Sequence, residues 1–139
     1  MPLSIELQML AWSGLLGIGY VLLAVAAVTR ERGQKWNASA RDGAPPPPGL
    51  VAGRLQRAQA NFFETFPIFA ALVLACVATG RHNTAVVLGA YLYFFARLVY
   101  LPVYGFGIPK VRSLVWLVSI VGILFVLWGL FIKLLPYTP

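Results

Sequence analysis

Acidic side chains are scarce in this chain: four Asp and Glu stand against eleven Lys and Arg, a formal charge of +7 over 139 residues. Charged residues of both signs make up only 11%, too few to cover the surface of a water-soluble domain. A single cysteine, Cys76, excludes an intrachain disulfide, and with a single histidine, His82, it leaves no Cys/His cluster for a metal. Cys76 lies in an apolar run and reads as a small buried hydrophobe, while His82, beside Arg81 in a short loop, reads as neither ligand nor catalyst. Nothing resembles a nucleotide-binding loop or a Ser/His/Asp set. What is abundant is apolar: 60% of residues are hydrophobic and the mean hydropathy is +0.80, the composition of an integral membrane protein. The positive charge does not indicate nucleic acid, because the basic residues are scattered between apolar spans and no soluble basic domain remains. Anionic lipid and an anionic ligand are the expected partners.

A helix needs ~20 apolar residues to cross a bilayer, and the chain holds four such runs, about 5–29, 51–79, 85–104 and 111–135. The fold class expected is an all-α membrane protein, a single 1–139 domain built as a four-transmembrane-helix bundle. No Lys or Arg precedes the first span, so it is expected to remain as an anchor rather than to be cleaved as a signal peptide. Gly14, Gly17 and Gly19 in it would let another helix approach. The stretch 30–50 is charged, contains glycine and ends in four prolines, which reads as an exposed loop closing on a short polyproline segment. The loops after the first and third spans carry Arg30, Arg32, Lys35, Arg41, Lys110 and Arg112; the opposite side carries Arg81 and Lys133. The positive-inside rule puts the former loops in the cytoplasm, in an inner (cell) membrane.

Two polar stripes interrupt the spans. At about 100° per residue, Arg54, Arg57, Asn61 and Glu64 fall within an arc of roughly 80°, at the mouth of the second span. On the third span Tyr93, Arg97, Tyr100 and Tyr104 fall within roughly 60°. Ionisable groups at such depth face a bundle interior or wet cavity and find partners, which makes each stripe a site candidate. Arg112 and Ser113 open the fourth span, at a helix N-terminus that favours an anion. The start of the second span, the end of the third and the start of the fourth lie on one side of the membrane, so the three groups can meet. Pro67 should kink the second span below its stripe, and Pro102 should bend the end of the third.

Arg54, Arg57, Arg97 and Arg112 offer four cations for one Glu64, a balance that calls for an anion bearing carboxylates. Asn61 and Glu64 add acceptors suited to an ammonium group or amide hydrogens. Glutathione, with two carboxylates, one amine and peptide bonds, fits this set as a co-substrate. Arg112, helped by the Ser113 hydroxyl, would then stabilise its thiolate; lowering a thiol pKa from ~8.5 to about 6.5 takes roughly 2.7 kcal/mol.

RLQRAQANFFETFP (54–67), FARLVYLPVY (95–104) and IPKVRS (108–113) resemble the motifs of the MAPEG superfamily, membrane-associated proteins of eicosanoid and glutathione metabolism, in a bacterial-type form. The resemblance covers Arg54 to Ser113 by motif and the whole chain by layout. It implies a homotrimer of four-helix bundles holding glutathione near the cytoplasmic face between subunits, and a lipophilic electrophile or lipid hydroperoxide as second substrate. By position, Arg57, Asn61 and Glu64 would hold the tripeptide's backbone and charged ends, Tyr100 and Tyr104 would bind it from the third span, and Gln59 would reach it across the subunit boundary. Arg112 would serve the thiolate, with Ser113 assisting. Thr65 stands where some members have Tyr, and Gly53 where others have an acid, which leaves the second substrate open. Two other readings fit the composition: a noncatalytic binding or membrane-organising protein of the same fold, and a small proton-coupled transporter driven by Glu64. The transporter is disfavoured because Arg57 and Asn61 share the glutamate's face and would compete with a cationic drug for it.

Overall fold

Four helices carry the chain back and forth: α1 (Ile5–Arg32), α3 (Leu50–Ala78), α4 (Thr84–Phe106) and α5 (Pro109–Phe131), with a five-residue α2 (Gln34–Ala38) in the link after α1. The computed structural model describes residues 2–132. Each of the four long helices is long and apolar enough to cross a membrane, and most of each spanning window faces outward rather than into the bundle. This is the pattern of an integral multi-pass protein, in which lipid takes the place of water against the outer faces.

Because lipid is as apolar as leucine, helices in a membrane are held by close backbone approach rather than by apolar burial alone. The α4/α5 hairpin is built that way. A methyl group placed on Gly89 would stand 2.5 Å from the Gly122 carbonyl oxygen, and one on Gly122 would stand 2.7 Å from the Tyr93 amide. At the far end Asn83 caps α4 by accepting from the Val86 amide, and its Nδ2 donates to the Gly129 carbonyl at 2.8 Å, tying α5 to the start of α4. On α1 only Gly17 serves such an approach, against the Phe62 ring; Gly14 and Gly19, expected to do the same, face open space. Phe62 stacks between Tyr20 of α1 and Phe66, with centroids at 4.7 and 5.3 Å, and Tyr20 donates from its hydroxyl to the Arg97 carbonyl at 2.6 Å. This aromatic column binds α1, α3 and α4 together at the level of the polar stripes.

Several boundaries differ from the sequence reading. The third span runs on through Pro102 to Phe106, since proline removes only one donor, and stops where Gly107 adopts a left-handed φ of 74°. α3 likewise continues through Pro67. The fourth span leaves helical geometry at Ile132, and its expected end at 133–135, with Lys133, lies outside the described residues. The 30–50 segment is better organised than a plain exposed loop. The Trp36 ring of α2 lies against the guanidinium groups of Arg32 and Arg41, at 4.5 and 5.2 Å, and Glu31 accepts from the Gly49 amide at 2.8 Å, joining the end of α1 to the start of α3. At the opposite end of the bundle, the buried Glu6 carboxylate is paired with His82.

Candidate functional site

The buried face of α3 is formed by Ala58, Phe62, Thr65, Phe69, Val73 and Cys76. On a helical wheel Asn61 and Arg57 fall on one flank of that face and Gln59 on the other, roughly 160° from Asn61. The two flanks open onto different hollows. On the first flank, a cleft of about 360 Å³ is lined by Asn61, Tyr100, Arg112, Ser113, Trp116 and Leu117. It shares Arg112 with a neighbouring hollow of about 200 Å³ bounded by Arg54, Arg57, Tyr104, Gly107 and Pro109. The cleft alone is at the small end of the range of small-molecule sites, about 300–1,000 Å³, and the neighbouring hollow extends it.

Tyr104 stands between two cations. Arg57 donates through Nε to its hydroxyl at 3.1 Å, and the Arg112 guanidinium lies 5.1 Å from its ring centroid. Arg54 lies over Gly107, in the space where a Cβ would sit, so a side chain at that position would displace it. Arg112 is half-buried and stands one turn into α5; its own amide is already bonded to the Ile108 carbonyl at 3.1 Å. The anion-attracting element here is therefore its side chain, with the free amides of Lys110 and Val111 behind it. Ser113 is exposed and its hydroxyl donates to the Pro109 carbonyl at 3.3 Å, so it must rotate before it can donate into the cleft.

The remaining predicted residues divide. Tyr93, expected with the second stripe, is fully buried, bonded to the Thr65 hydroxyl at 3.1 Å and stacked on Phe69 at 4.0 Å. Its hydroxyl is spent in the core. Arg97 is also fully buried: both of its Nη atoms donate to the Asn61 Oδ1 at 3.0 Å, and its guanidinium lies against Tyr100 and Phe62, at 4.6 and 5.5 Å. The Asn61 oxygen, expected as an acceptor for the ligand, is thus already occupied. Glu64 is exposed on the outside of the bundle and lines neither hollow. Gln59 opens onto a separate recess of about 110 Å³ with Arg32, Trp36, Asn37, Arg41 and Gln56.

Sequence reading missed Trp116 and Leu117 as cleft walls, although they follow Arg112 and Ser113 by four residues and so share their face of α5. It also missed Tyr20, whose reach to α4 has no local signal. Among the described residues no group of three or more His, Cys, Asp or Glu side chains gathers as a metal site.

Fold and cleft together define a four-span membrane bundle with a cationic, tyrosine-lined site at one end. The family model for MAPEG matches residues 9–132, and the chain belongs to the MAPEG family, whose members are membrane proteins with glutathione-related functions. No curated protein and no solved structure matches the chain.

Proposed function

We propose that this protein is a glutathione-dependent membrane transferase or peroxidase, which activates the glutathione thiolate for attack on a lipophilic electrophile or lipid hydroperoxide. The observation that carries the proposal is Arg112. It lines both hollows, lies against Tyr104, and is joined by Arg54 and Arg57 with no carboxylate among the lining residues. Three guanidinium groups around one opening attract a dianionic peptide, and their fork geometry suits carboxylates. Arg54 and Arg57 then hold the carboxylates, Tyr104 is kept in place between two cations, and Arg112 faces the sulfur, with Ser113 assisting after rotation. Trp116 and Leu117, both well exposed on α5, give the cleft an apolar wall through which a lipophilic substrate can arrive from the bilayer.

The two polar flanks of α3 support a closed homotrimer. When the Gln59 flank of one copy faces the Asn61 flank of the next, a repeated heterologous contact forms a ring. Such a contact brings the Gln59–Arg32 recess to the cleft and covers Glu64, whose carboxylate is costly against lipid. Tyr93 and Arg97 have no direct ligand contact in this reading. The basic loops lie in the cytoplasm, where glutathione is, with the protein in the inner (cell) membrane.

The test is turnover in nanodiscs with an aryl halide and, separately, with a lipid hydroperoxide. Glutathione-dependent conjugation or reduction above the protein-free rate is expected. Tight glutathione binding with neither activity would identify a noncatalytic member of the fold, and no binding would overturn the reading.

A further inference from the structure

The guanidinium group has five donors and no acceptor, whereas a side-chain amide offers an oxygen on one side and an NH2 on the other. Both Nη atoms of Arg97 reach the same Asn61 oxygen at 3.0 Å. The flipped amide would set donors against donors. The guanidinium of Arg97 is held against such a flip, because it is fully enclosed and lies against Tyr100 and Phe62. Asn61 lines the cleft beside Tyr100 and Arg112, while Arg97 does not. Arg97 thus meets a bound molecule through Asn61.

We infer that Arg97 is the positioning residue of this site: it locks the Asn61 amide with Nδ2 facing the cleft as a donor. The ligand group recognised at Asn61 is then an acceptor, a carboxylate or a peptide carbonyl, and not an ammonium. A buried cation on the amide oxygen also polarises the amide and strengthens its N–H as a donor. The inference rests on the glutathione reading for the identity of the ligand but not for the orientation of the amide.

The chain contains three asparagines, Asn37, Asn61 and Asn83, so 15N-asparagine labelling gives a spectrum of three side-chain NH2 pairs. In ligand-free protein in nanodiscs, Arg97→Met should move the Asn61 pair and leave that of Asn83, which sits at the other end of α4, in place. Glutathione affinity should fall about 10-fold in Arg97→Met, as for loss of one charge-assisted hydrogen bond. In an Asn61→Ala background the same change should cost nothing further, because its effect passes through Asn61. Asn61→Asp, which forms an ion pair with Arg97 and keeps the fold, should weaken glutathione binding at least 10-fold by replacing the donor with a carboxylate.

An unmoved Asn61 pair, additive losses in the double variant, or tighter binding by Asn61→Asp would each overturn the inference. If Arg97→Met does not fold, Arg97→Lys, which keeps the charge and a donor for the Asn61 oxygen, should leave the Asn61 pair close to its original position. If wild type binds no glutathione while the Asn61 pair still moves in Arg97→Met, the glutathione reading fails and the positioning role stands.

Discussion

Tyr104 and Tyr93 occupy the same stripe of α4 and have opposite fates. Tyr104 is half-buried between Arg57 and Arg112, so Tyr104→Phe removes an acceptor from Arg57 while leaving the ring for both cations. Its glutathione dissociation constant should rise about 3- to 10-fold, the worth of one hydrogen bond, with the melting temperature unchanged. Tyr93→Phe should do the reverse: a loss of about 1 kcal/mol of stability from the broken Thr65 contact, seen as a lower melting temperature, with glutathione affinity unaltered. Helical phase made the stripe legible in the sequence but could not divide it. Which end meets a cleft and which meets the core depends on how α3 and α5 pack against α4, and no local pattern encodes that. Asn61 was legible as part of a polar stripe for the same reason, and its pairing with Arg97 was not, because Arg97 lies on another helix.

The elements are joined by close approach at a few points, above all where Gly89 meets Gly122. Gly122→Leu should destabilise the α4/α5 hairpin by about 1–3 kcal/mol or more, since backbone rather than flexible side chain stands in its way. Gly14→Ala, with open space around it, should be tolerated, and thermal melting in the same detergent compares the two. The four spans were legible because length and hydropathy are properties of each run taken alone. α2 was not, because five residues carry no periodic signal; it is held by Trp36 lying against two arginines and by the Glu31 contact to Gly49. The end of α4 was placed too early because proline weakens a helix without stopping it, whereas the left-handed Gly107 does stop it.

Taken as a whole molecule, the chain concentrates cations at one end of its bundle and leaves Glu64 and the Gln59 recess uncovered on its flanks. Native mass spectrometry from nanodiscs should release a trimer carrying glutathione, whereas a monomer binding glutathione at full affinity would contradict a site shared between copies. The most direct test of the central claim is the ultraviolet thiolate difference spectrum of glutathione on the purified protein in nanodiscs, followed against pH for wild type and Arg112→Ala. Wild type should show bound thiolate with a midpoint near pH 6.5, about two units below a free thiol, and Arg112→Ala should return the midpoint toward ~8.5. A wild-type midpoint at the free-thiol value, in folded protein that binds glutathione, would contradict thiolate activation by Arg112.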